Sequence, residues 1–73
     1  MKRVRLTVPP RALSASPPFA IPNQWRPGPV ALARVEPPDA DVVAAPLPMR
    51  GGMRIVVYNR GERAVEVEVD LPD

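Results

Sequence analysis

Met53-Arg-Ile-Val-Val-Tyr-Asn-Arg-Gly-Glu-Arg-Ala-Val-Glu-Val-Glu-Val-Asp-Leu71 is the stretch of this chain that declares its own secondary structure. Val65, Val67, Val69 and Leu71 alternate with Glu66, Glu68 and Asp70; a period of two marks a strand with one buried and one wet face. Arg54-Ile-Val-Val-Tyr58 is a β-branched run without polar alternation, which predicts a strand covered on both faces. Between them lies Asn59-Arg60-Gly61-Glu62, with Gly61 able to adopt a positive φ. Together these features predict a β-hairpin over residues 53–71, closed by a bulged turn.

The same period recurs at the start of the chain. Val4, Leu6 and Val8 share one face of Lys2–Val8, and Arg3, Arg5 and Thr7 the other. The basic face of this strand complements Glu66, Glu68 and Asp70, so antiparallel pairing is expected, with Arg5 beside Glu68. Such cross-strand pairs contribute about 0.2–1 kcal/mol each and set register more than stability.

Between these regions the character changes. Eleven of the twelve prolines fall in residues 9–48, with Pro-Pro steps at 9–10, 17–18 and 37–38. Each proline fixes φ, removes a donor and extends the residue before it, which excludes helix over most of the segment. The expectation is an extended, proline-rich arm with turns at Asn23 and Gly28. Within it, a short strand is expected over Val30 to Val35, with Val30, Leu32 and Arg34 on one face. Another is expected around Val42-Val43, and a turn at Arg50-Gly51-Gly52. The predicted fold class is therefore all-β: one domain over residues 1–73, a small sheet or sandwich built on a C-terminal hairpin. Its parts are a strand at 1–8, the arm at 9–48 and the hairpin at 53–71.

Composition limits what such a chain can do. Its 73 residues include no Cys and no His, and the aromatics are Phe19, Trp25 and Tyr58. A core of this size supplies only about 3–5 kcal/mol and has no disulfide to reinforce it, so stabilisation by copies of itself or by a larger partner is expected. Without His or Cys, the common bases and nucleophiles are missing; a non-enzymatic protein without cofactor or metal is expected. Glu66, Glu68 and Asp70 recur every ~6.8 Å along a strand, which would suit a loose Ca²⁺ site, but the alternating valines already explain them as a solvated face. Arg50-Gly51-Gly52-Met53-Arg54 lacks the Lys-Ser/Thr of a phosphate loop and reads as a turn.

Net charge is +2, with six cations and no acid through Arg34, then eight acids against four arginines. Trp25-Arg26 would suit base stacking, but the scattered arginines and acidic strand argue against nucleic acid. No two prolines stand three apart, which removes the PxxP spacing of SH3 ligands. The basic start Met1-Lys-Arg-Val-Arg5 is not followed by the apolar segment of a signal peptide, nor does any run reach the ~20 apolar residues of a membrane helix. Phe19, Ile21, Trp25, Arg26 and Tyr58 are the candidate protein-contact residues: the first three either close the chain's own core or anchor it in a partner's pocket.

Residues 52–72, with their Val-Tyr-Asn strand, Gly turn and Val-x-Val-x-Val strand ending near Pro72, resemble small β-rich decoration or auxiliary proteins of tailed-bacteriophage heads. The resemblance implies a structural, cementing component, present in many copies and bound to capsid or other particle proteins. It implies localisation in a virion assembled in the host cytoplasm; otherwise the chain is expected in the cytoplasm. The alternatives are a nucleic-acid-associated accessory protein of a large ribonucleoprotein, and a binding module that adds a strand to a partner's sheet edge.

Overall fold

The computed structural model describes residues 2–21, 30 and 32–72. Six strands follow one another among them: β1 (Lys2–Val8), β2 (Leu13–Ala15), β3 (Leu32–Glu36), β4 (Val42–Met49), β5 (Gly52–Asn59) and β6 (Val65–Leu71). They form two three-stranded sheets, in the orders β1-β6-β3 and β2-β5-β4, and every pairing is antiparallel. The all-β class is as the alternation predicts.

The core is where the two sheets face each other. Val8, Val65, Val67, Val69 and Leu71 of the first sheet meet Ile55 and Val57 of the second, all at most 3% exposed. Val4, Leu6, Leu32, Val35, Val42, Ala44 and Phe19 pack against them. The period-two pattern of β6 thus lays one valine row inward, and the same parity brings β1 and β3 into the layer.

The predicted hairpin over 53–71 is not formed, because β5 and β6 go to opposite sheets. A hairpin lies one connection earlier, between β4 and β5, and pairs Met49 with Gly52 and Val42 with Asn59. The turn sequence predicted for 50–52 closes it: Gly51 has φ 81°, the value a type II turn gives its third residue. The physical reason for the difference is cover. Side by side, the apolar rows of β5 and β6 would form one exposed face, whereas across the sandwich each buries the other. Arg60–Ala64 is long enough to bridge the ~10 Å between packed sheets.

The described parts of the proline-rich segment are built into the sheets, including the strands expected after Val30 and around Val42-Val43; the turns predicted at Asn23 and Gly28 lie outside the described residues. The segment supplies β2, β3 and most of β4, since the extended backbone that proline imposes is also strand backbone. Among the described prolines, Pro9, Pro10, Pro37 and Pro38 stand at corners and Pro46 and Pro48 on the edge strand β4. Pro46 and Pro48 share one parity there and, with no N–H to donate, fit the positions that point away from β5. In β3 the register shifts between Leu32 and Arg34. This bulge turns Leu32 and Val35 inward, opposite Val69 and Val67, and puts Arg34 outside opposite Glu68; the predicted shared face of Leu32 and Arg34 is corrected accordingly.

Two buried polar side chains fasten the strand ends. Ser16 Oγ accepts from the Ile55 N–H at 3.0 Å and donates to the Pro17 carbonyl at 2.9 Å. Asn59 Nδ2 donates to the carbonyls of Val8 (3.2 Å), Pro9 (3.2 Å) and Arg63 (2.6 Å), and Oδ1 accepts from the Gly61 N–H at 2.9 Å. Among the described residues, no buried side-chain nitrogen or oxygen lacks a partner.

Candidate interaction surface

The two outer faces of the sandwich have opposite chemistry. On the first sheet, β1 lies beside β6 with Arg3 opposite Asp70, Arg5 opposite Glu68 and Thr7 opposite Glu66. Arg3 Nε donates to Asp70 at 2.8 Å and Nη2 at 3.2 Å, and Arg5 reaches Glu68 at 3.5 Å. Arg34 lies opposite Glu68 and 3.7 Å from Glu36. A shallow cleft of about 200 Å³ is lined by Arg5, Arg34, Glu36, Glu66 and Glu68. Cations and carboxylates interleave across this face, so the charge compensates itself and leaves no concentrated field.

The hydrogen bond from Arg3 holds the Asp70 carboxyl below its ordinary value, and the same bond raises Arg3. A lowered carboxyl stabilises the fold while it is ionised in both states, and that contribution fades as pH falls from the unfolded value of about 3.9 through the folded one. Asp70→Asn should therefore lower the urea midpoint at pH 6–7, and its gap from wild type should close at pH 2–3. A gap that stays constant down to pH 2 would show that the bond is not coupled to folding.

The outer face of the second sheet is apolar. Cross-strand register sets Leu13, Tyr58 and Val43 in one row and Ala15, Val56 and Ala45 in the next. Leu47 follows, opposite Arg54, and then Met49 opposite Gly52. Leu13, Leu47, Val43 and Met49 are 63%, 50%, 44% and 41% exposed, so four large apolar side chains face solvent on one small sheet. On β4, Val43, Ala45, Leu47 and Met49 point out, while Val42, Ala44 and Pro46 point in, so the larger apolar side chains past Val42 are on the outer face. The patch continues past the hairpin turn into a groove of about 310 Å³ along Pro18, Phe19, Ala20, Met49, Arg50 and Gly52.

The residues predicted to make contacts divide. Tyr58 stands on this face, half-buried between Leu13 and Val43. Phe19 bridges to Met53, exchanging N–H···O bonds of 2.9 Å in both directions, and packs on the core. Ile21 is exposed. Trp25 and Arg26 lie outside the described residues.

Sequence reasoning missed Leu13, Val43, Leu47 and Met49. A signal was present: Val42-Val-Ala-Ala-Pro-Leu-Pro-Met49 carries no charge on either parity, which marks a strand meant for cover on both sides. The same expectation for residues 54–58 is met on one side only. Ile55 and Val57 are buried, whereas Arg54, Val56 and Tyr58 are half-buried, because the described chain supplies no second layer over them. No protein-family model, curated protein or solved structure matches the chain.

Proposed function

We propose that this chain is a non-enzymatic structural module that docks on another protein of a larger assembly through the outer face of β2-β5-β4. A particle such as a phage-like virion, of the kind implied by the resemblance at residues 52–72, is the setting we favour. The row of exposed apolar side chains on β4 carries this reading. A strand that leaves Val43, Leu47 and Met49 exposed on its outer face, with Val42, Ala44 and Pro46 on its inner one, presents a large apolar surface to an external partner. Docking by the face is also favoured over strand addition along β4, since Pro46 and Pro48 remove donors from that edge.

The test is a Val43→Lys/Leu47→Lys double variant, followed with wild type in its native extract by size fractionation. Both positions are solvent-facing, so folding stability should change by about 0.5 kcal/mol or less, while association with the high-mass fraction should be lost. Arg3→Ala, on the opposite face, should remain associated. Retention of the double variant at the wild-type level, or a wild-type chain that runs free, would refute the reading.

A further inference from the structure

Charge sets the apolar face apart in a second way. Arg3, Arg5, Arg11, Arg34, Arg60 and Arg63 each have a carboxylate partner in the fold. Arg50 and Arg54 are the described arginines without one. Arg54 lies within the apolar face, opposite Leu47, and Arg50 forms the turn beside Met49. None of the described acids belongs to this sheet: they sit on β6, at the end of β3, and in the 36–41 and 60–64 connections. The face thus combines an apolar surface with two cations that the described residues leave uncompensated.

We propose that the occupant of this face is a protein segment whose apolar side chains are flanked by carboxylates, placed to pair with Arg50 and Arg54. This rests on the docking reading above and adds the chemistry of the partner. A second copy stacked face to face fits less well, because it would bring further arginines and no carboxylate to the contact. The described acids another copy does offer lie on its opposite sheet or in its connections, and all but Glu66 are already paired with arginines. The footprint sets the partner's size. The two eight-residue strands β4 and β5, at ~3.4 Å per residue and ~4.8 Å apart, with the three-residue β2 beside one end, give a patch roughly 27 Å long and roughly 5–10 Å wide. One amphipathic helix, about 10 Å wide and about 18 residues long, covers it.

The experiment titrates the full chain, labelled for amide NMR, with three synthetic amphipathic peptides of that length. They share one apolar stripe and carry Glu, Gln or Lys at the polar positions. The Glu peptide should shift amides in β4 and β5 and bind at least about tenfold more tightly than the Lys peptide at low salt, a gap that narrows as salt screens it. Arg50→Glu/Arg54→Glu should invert the order; if that variant fails to fold, the Glu-against-Lys contrast on wild type decides alone. Equal binding of Glu and Lys peptides, shifts confined to β1-β6-β3, or no binding by any peptide overturns the proposal. If Glu and Gln peptides bind the face equally well, the charge inference falls and the docking reading stands. If no peptide binds and the Val43→Lys/Leu47→Lys variant also stays in its assembly, both fall. Sedimentation that reveals a dimer abolished by Leu47→Lys would name a second copy as occupant and overturn the acidic partner.

Discussion

Replacing Asn59 with Ala should unfold the chain or bring it to the edge of unfolding. The Asn59 side chain is fully buried and holds three carbonyls from two separate segments, Val8 and Pro9 at the end of β1 and Arg63 in the β5–β6 crossover. It also caps the Gly61 N–H. Truncation leaves the buried Val8 carbonyl and three part-buried groups without this partner and opens a void in their midst; one fully buried unpaired group costs about 1–3 kcal/mol. A loss of about 3 kcal/mol or more is comparable to the whole stability of a domain this small. Asn59→Asp should be worse at neutral pH, since it points an unpaired charge at carbonyl oxygens, and should recover partly in mild acid, where a protonated carboxyl again has a donor. Thermal melts followed by circular dichroism check both; since about 1 kcal/mol shifts the midpoint of a domain of this size by about 4–8 °C, an Asn59→Ala midpoint within a few degrees of wild type would sink this account.

Gly52→Ala should be nearly as damaging, for a steric reason. A Cβ at Gly52 would lie 2.4 Å from the Phe19 carbonyl oxygen and 3.2 Å from its carbon. Both are backbone atoms, so no side-chain rotation relieves the clash. The Phe19 segment must then move away, and with it go the two bonds of 2.9 Å between Phe19 and Met53. Overpacking of this kind costs about 1–3 kcal/mol, and the lost bonds add about 1 kcal/mol. Hydrogen exchange localises the effect: the amides of Phe19 and Met53 should lose protection together. Gly51→Ala makes the informative contrast, because nothing lies near its added Cβ and only the positive φ is strained. Unchanged protection at Phe19 in Gly52→Ala would mean the approach is looser than 2.4 Å.

How far the fold could be read from the residues depends on which interactions are local. Strict alternation in Lys2–Val8 and Val65–Leu71 sufficed for two strands and for the complementary charges of Arg3, Arg5, Glu68 and Asp70. It did not reveal that Ile55 and Val57 would stack over β6 instead of lying beside it, because both arrangements use the same parity and only the need for cover separates them. Asn59 looked like an ordinary turn residue; its role as a clasp emerges only when Val8 and Pro9 arrive from the far end of the chain. Proline obscured β2, the length of β4 and the pairing of β3 and β4, since it restricts a residue to extended conformations without distinguishing a paired edge strand from a docked arm. The outer face of β2-β5-β4 was half visible, in Tyr58 and in the uncharged run of β4.

Pairing β1 with β6 has a kinetic side as well. Arg3 and Asp70 are 67 residues apart, so β1 pairs with β6 only by closing nearly the whole described chain into a loop. Fold topologies dominated by such non-local pairings fold slowly, in milliseconds to seconds. The β4–β5 hairpin can form early on its own, but its valines have nothing to cover them until β6 arrives. During that interval both sides of the hairpin are open to other chains, the inner one only transiently. Lys2 and Leu71 are cross-strand neighbours in the finished sheet. A short covalent turn between them would make the least local pairing of the fold its most local one, and move the slow step elsewhere in the chain.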